Sequence, residues 1–243
     1  MLTSFFGRFN MYKRVLLKLS GEVLSGEGNK GFSDDKIDFL VEEIKKVVEH
    51  GIELGIVIGA GNVFRGTEFS RLDAKTADQI GMMGTLINAL YLKAILRNKG
   101  IKAVAISSST NSPSFEPYHY DTIERYLRTN HVVIFGGGTT LPYFTTDTAA
   151  AIRAIEIGAD VLIKATKVDG VYDKDPKQYP DAQRIERITF KEAIEKGLKI
   201  MDMEAFSLCQ RYSKPVIVID FFIPENLLSA IIGEKTGTLV LPD

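Results

Sequence analysis

The feature that most limits the fold is a set of short apolar runs that end on glycine. Val15-Leu16-Leu17 leads through Lys18 to Ser20-Gly21, and residues 52–58 end on Gly59-Ala60-Gly61. Val132-Val133-Ile134-Phe135 enters Gly136-Gly137-Gly138. A strand with one wet face alternates apolar and polar residues, so unbroken runs belong to strands covered on both faces. Amphipathic stretches lie between them. Ile37, Leu40, Val41, Ile44, Val47 and Val48 recur at helical spacing after Ser33 and Asp34, and Gly51 stops the pattern. A longer helix is expected over residues 74–98, ending at Gly100. Others are expected at 120–128, 146–157, 204–212 and 224–232, and Thr189 with Glu192 forms a capping box for a short one ending near Gly197. Further strands are expected at 102–106, 160–163, 215–219 and 238–241. This alternation predicts an α/β fold, a mostly parallel central sheet flanked by helices on both faces.

Such sheets bind ligands beyond the carboxyl ends of their strands. Three of the first four strands reach glycine there. Glycine lets the chain turn sharply and lets a phosphate approach backbone amides closely. One such loop is a plain tight turn; three at equivalent ends of one sheet point to a polyphosphate ligand.

With 243 residues the chain has the length of one α/β domain, expected over residues 12–243, with residues 1–11 as an N-terminal extension. Residues 1–10 lack the long apolar stretch and small-residue cleavage site of a secretory signal. No apolar run approaches the roughly 18 residues of a membrane helix. The net charge of −1 provides no bulk attraction to nucleic acid or anionic membranes, so neither is expected as a partner. The single cysteine, Cys209, cannot form an internal disulfide and suits a reducing compartment, the cytoplasm.

Several common chemistries are excluded by motif. There is no G-x-x-x-x-G-K-[ST] loop. Phe64 and Leu141 fall where a dinucleotide fingerprint would place its third glycine. The three histidines, His50, His119 and His131, are far apart and no paired cysteines exist, so no protein-held metal is expected. The charges that border the glycine loops do suit phosphate chemistry: Lys18, Arg65, Asp147, and Lys164 and Lys167 around Thr166. Taken alone, Asp147 at a helix start is most simply a capping residue.

Four segments carry a family resemblance: Lys18-Leu19-Ser20-Gly21-Glu22, Gly59-Ala60-Gly61-Asn62-Val63-Phe64-Arg65-Gly66, Phe144-Thr145-Thr146-Asp147, and Lys164-Ala165-Thr166-Lys167-Val168-Asp169-Gly170-Val171-Tyr172 with Asp175-Pro176. In this order the chain closely resembles the bacterial uridylate kinases of the amino acid kinase superfamily, from Tyr12 to its end. The resemblance implies an α/β/α sandwich that moves the γ-phosphoryl of ATP, carried with Mg²⁺, onto UMP. It implies Lys18, Asp147 and Lys164 as catalytic residues. ATP would be held by Lys18, Leu19, Ser20, Gly21, Gly61, Arg65, Thr166, Tyr172 and Asp175. UMP would be held by Ala60, Asp78 and the loop Thr139, Thr140, Leu141, Pro142, Tyr143, Phe144, Thr145 and Thr146. It further implies a homohexamer, activated by GTP and inhibited by UTP, with residues 26–31 in the region tied to the GTP response.

The chain departs from the family pattern at three places. Ala60 stands where glycine is usual, Leu141 where asparagine is usual, and Asp220-Phe221 where an asparagine is common. Two alternatives share the same glycine loops: a carboxylate or carbamate kinase of the superfamily, and a nucleotide sensor or storage protein without turnover.

Overall fold

The computed structural model describes residues 11–26, 28–66, 70–109, 111–176 and 178–243. Apart from Met11, the expected N-terminal extension lies outside them. The first strand, β1 (Arg14–Leu19), pairs in parallel with β2 (Glu53–Ile58) on one side and β6 (Val161–Thr166) on the other. Beyond β2 come β5 (Val132–Gly136), β3 (Ala103–Ser107) and the short β4 (Glu116–Pro117). Beyond β6 come β10 (Val216–Asp220), β11 (Thr238–Leu241) and β9 (Arg187–Thr189). Within this sheet only the β10–β11 pair is antiparallel. Two short strands, β7 (Val171–Tyr172) and β8 (Arg184–Ile185), form a separate antiparallel hairpin.

The unbroken apolar runs are explained by what covers them. Along β1, Val15, Leu17 and Leu19 pack with residues of α1 (Asp34–Glu49), α2 (Ala74–Asn98) and α7 (Asn226–Ile231). Leu16 points the other way, into a cluster with α3 (Tyr120–Arg128), α4 (Thr146–Glu156), α5 (Phe190–Glu195) and α6 (Met203–Arg211). Side chains alternate between faces along a strand. Lys18 therefore lies on the Leu16 side, beneath α4.

The long helix α2 has the length and composition of a membrane span by itself, the one such helix among the described residues. Its Leu86, Ala89, Leu92 and Leu96 are buried in the fold, as a core helix would have them.

The expected elements form with small shifts at their ends. The capping box of Thr189 and Glu192 is present in both directions. Ser33 takes the N-cap position of α1, but its side chain makes no capping hydrogen bond. The short strands β4, β7, β8 and β9 carry too few residues for a hydrophobic period to reveal them.

Candidate functional site

Parallel pairing of β1 with β6 places Lys18 directly beside Lys164. Both then project from the same face of the sheet. α4 starts over that face, and its first turn carries Asp147. The carboxylate is clasped from both sides: Lys18 Nζ lies 2.6 Å from Oδ1 and Lys164 Nζ lies 2.7 Å from Oδ2. Lys164 donates a directed hydrogen bond, whereas Lys18 approaches Oδ1 without hydrogen-bond alignment, so that attraction is Coulombic. Lys164 also donates to the carbonyl of Ile200 at 2.7 Å. Burial alone would push the Asp147 carboxyl up; the two ammonium groups outweigh it and hold the carboxyl below its ordinary pKa.

Asp147 is free to do this because it is not the cap of its helix. Thr145 is: its Oγ1 accepts from the amides of Asp147 (3.0 Å) and Thr148 (3.5 Å). Asp202, the N-cap of α6, accepts in turn from the hydroxyls of Thr145 and Thr148. The capping reading of Asp147 is thereby corrected; a threonine two residues earlier satisfies the helix end.

The loops after β1 and β2 interlock beside this triad. A Cβ at Gly21 would lie 2.5 Å from Asn62 Oδ1 and 2.7 Å from both Gly59 O and Gly61 N, so only glycine fits. Asn88, fully buried on α2, fastens the second loop: its Nδ2 donates to Gly59 O and Asn62 Oδ1, each at 2.7 Å. Asn62 Nδ2 returns a bond to Asn88 Oδ1 at 3.1 Å and donates to Gly31 O at 3.0 Å. The loop is thus tied to the core and to the glycine-rich segment before α1.

A cleft of about 360 Å³ opens next to these loops. Its walls are Ala60, Phe64 and Gly66, one face of α2 (Ala77, Asp78, Gly81, Met82 and Thr85), and Gly138 with Tyr143, Phe144, Thr145 and Thr146. Asp78 Oδ2 accepts from the amide of Tyr143 at 2.7 Å and so ties α2 to the loop after β5. That loop is tightly folded: Gly137, Gly138, Thr140 and Tyr143 all have left-handed backbones.

The amino acid kinase family model matches residues 13–220. The chain belongs to the amino acid kinase family. Within it, the chain is 59% identical to a uridylate kinase of Thermosipho melanesiensis over 96% of its own length and the whole of that protein. It is 54% identical to one of Thermotoga maritima over 95% of its length, again covering the whole relative. Among solved structures, UMP kinase of Bacillus anthracis superposes with a TM-score of 0.93 at 35% identity, over 96% of this chain and 98% of that one. UMP kinase of Ureaplasma parvum superposes at 0.89 and 33% identity, over 94% and 98%.

The residues expected from the family pattern fall into three groups. Lys18, Asp147 and Lys164 meet directly. Ala60, Asp78, Tyr143, Phe144, Thr145 and Thr146 line the cleft. The remaining residues are placed differently. Leu141 is 59% exposed and, like Thr139, Thr140 and Pro142, is not part of the cleft wall. Thr139 Oγ1 instead closes a turn onto Leu141, donating to its carbonyl and accepting from its amide. Arg65 is folded away from the cleft, pairing with Glu22 and donating to Gly61 O at 3.1 Å. Thr166 turns its hydroxyl to Val168 O and Ile219 O, and Tyr172 donates to Asp169, in the hairpin past β6. Asp175 follows that strand, its carbonyl accepting from Gln178 and Tyr179.

Seven cleft residues were not among the assigned site residues: Phe64, Gly66, Ala77, Gly81, Met82, Thr85 and Gly138. Helical spacing held a signal for four of them. Asp78 shares its face with Gly81, Met82 and Thr85, three to seven positions on, and Ala77 borders it. Ala60 also gains an explanation. A Cβ at Gly84 would lie 2.8 Å from the Ala60 Cβ, so glycine on α2 makes room for the alanine that replaces the family's glycine.

Proposed function

We propose that the chain transfers the γ-phosphoryl of ATP to UMP, giving ADP and UDP for pyrimidine nucleotide supply. The observation that carries this reading is the Lys18–Asp147–Lys164 cluster at the mouth of the glycine loops, next to a cleft of about 360 Å³. Such a volume lies within the usual range for small-molecule sites.

The phosphate of UMP has a second pKa near about 6, so it is mostly dianionic at neutral pH and needs no general base. The obstacle is electrostatic: two anions must be brought into line. Lys18 and Lys164 supply positive charge to the transferring group from fixed positions, because Asp147 holds both ammonium groups at once. The amides of Gly21 and Gly61 cradle oxygens, whereas the Gly59 amide is already donated to Leu19 O at 2.9 Å, and the N-terminus of α4 adds the partial positive charge of its helix dipole. Asp147 orients and does not abstract a proton. The cleft holds UMP, with Asp78 recognising its ribose. Ser20, Leu19, Arg65, Thr166, Tyr172 and Asp175 lie toward ATP.

The cofactor is a divalent ion, proposed to be Mg²⁺. Both oxygens of Asp147 are already taken by lysines, and no group of three or more acidic, histidine or cysteine side chains gathers among the described residues. These residues do not form a protein cage for the ion, which fits delivery on the ATP phosphates.

One sheet running through nine strands supports reading residues 12–243 as a single domain. Exposed Ile80, Met83 and Ile87 on α2 support self-association, and the hexameric state is proposed on the family likeness alone. Cys209 is buried, and burial pushes its thiol up to about 12, an inert group suited to the cytoplasm. GTP activation and UTP inhibition are proposed on the family likeness alone.

The test is ADP release from ATP and Mg²⁺ with UMP, CMP, aspartate or acetylglutamate added singly. ADP with UMP, and UDP as co-product, supports the reading. ADP with a carboxylate overturns the acceptor, and ADP with none overturns the kinase.

A further inference from the structure

Glu22 follows Gly21 in the short 3-10 turn after β1, at the junction of the first two glycine loops. Its side chain reaches over Gly61: a Cβ built on that glycine would lie 3.8 Å from Glu22 Cγ. Both carboxylate oxygens are used, and each by a cation from a different segment. Oε1 pairs with Arg65 Nη2, and Oε2 pairs with Lys167 Nζ at 2.8 Å. Lys167 Nζ also donates to Asn29 Oδ1 at 3.1 Å, in the glycine-rich segment before α1. One anion therefore holds together three pieces of chain that border the phosphate cradle. The two cations keep substantial exposure, 35% for Arg65 and 54% for Lys167, so an incoming ligand can reach them. The hydrogen bond from Lys167 outweighs burial and, with both cations nearby, holds the Glu22 carboxyl below its ordinary pKa, so it is charged at neutral pH.

This arrangement is what a phosphate group would make: two oxygens, two cations, one of them a guanidinium. We propose that Glu22 is a positioning residue that stands in for nucleotide phosphate, holding Arg65 and Lys167 in place and ceding them to ATP phosphates on binding. The proposal rests on the kinase reading above. Its consequence has a distinctive sign. A carboxylate that only braces the fold would, on removal, loosen the cradle and weaken anion binding. A carboxylate that competes with the ligand would, on removal, strengthen it, because two cations are released and a like charge disappears.

The experiment is calorimetric titration of inorganic tripolyphosphate into the full chain, as wild type, Glu22→Gln and Glu22→Asp. Glu22→Gln is expected to bind about five-fold tighter, the scale of two partly exposed ion pairs. Glu22→Asp keeps the charge but is too short to bridge both cations, and is expected to tighten binding by a smaller factor. It serves as the readout if the glutamine variant fails to fold. In turnover, Glu22→Gln lowers the KM for ATP without raising kcat, since a tighter hold on the ground state does not assist the transfer step. Equal or weaker tripolyphosphate binding by the folded variants overturns the proposal. The titration needs no turnover. Tighter binding by the variants of a chain that forms no UDP would keep the role of Glu22 and overturn the acceptor reading instead.

Discussion

Replacing Asp147 by asparagine tests the central cluster most directly. The change conserves shape and removes one charge from between two ammonium groups at 2.6 and 2.7 Å. All three side chains are 11–16% exposed, so water can replace little of what is lost. Breaking a buried pair by removing one partner costs about 3–5 kcal/mol, because the other charge is left uncompensated. Here Ile200 O still accepts from Lys164, and the amide oxygen can accept from one lysine. The low end, about 3 kcal/mol, is therefore expected at pH 7. For a chain of this length that corresponds to a fall in melting temperature of roughly 6–12 °C. Turnover should fall by about 10²–10³, as for loss of one preorganised electrostatic group. The pH dependence has a definite sign. A carboxyl with a lowered folded pKa stabilises above its unfolded value and loses that contribution as pH falls through the folded one. The gap between wild type and variant should be full at pH 7 and begin to narrow only below about pH 4, as pH falls toward the lowered folded pKa. Calorimetric melts from pH 3 to 8 with a coupled ADP assay measure all three. A variant that melts with the wild type at pH 7, or a gap that widens in acid, would refute the reasoning.

Lys18→Ala should lose several powers of ten in turnover while circular dichroism keeps the native signal; near-normal turnover would remove Lys18 from the chemistry. Asp78→Ala should raise the KM for UMP far more than for ATP, since Asp78 lines the cleft and anchors the Tyr143 amide; an effect confined to ATP would refute the assignment. Gly21→Ala forces a methyl group to within 2.7 Å of the Gly59 and Gly61 backbones. It should destabilise by about 1–3 kcal/mol and depress turnover, and an unchanged urea midpoint would show that the two loops do not interlock.

Much of this molecule is legible in local sequence, because the physics behind it is local. Unbroken apolar runs are fit only for strands covered on both faces, and β1, β2, β5, β6 and β10 follow them. Glycine stops at 51, 100, 158 and 197 and the Thr189–Glu192 box mark helix ends because they answer to the backbone alone. The loop after β5 is less simply read: the resemblance implies that Thr139 to Pro142 contact UMP, while the backbone is left-handed at Thr140 and Tyr143 and Leu141 is exposed, off the cleft wall.

What tertiary structure alone decided is which distant residues share a charge. Lys18 and Lys164 are brought side by side by the β1–β6 register, and one residue of slip would send one of them to the opposite face. Asp147 reaches both only because Thr145 caps its helix and Asp202 fixes that cap. The wall of the cleft likewise depends on how α2 packs, which turns Ala77, Gly81, Met82 and Thr85 inward. Local sequence determines helices and turns because their hydrogen bonds close within a few residues, and it marks strands by apolar runs that suit burial on both faces, but strand pairing joins distant residues such as Val15 and Val161. The site forms between elements, and its geometry belongs to their packing.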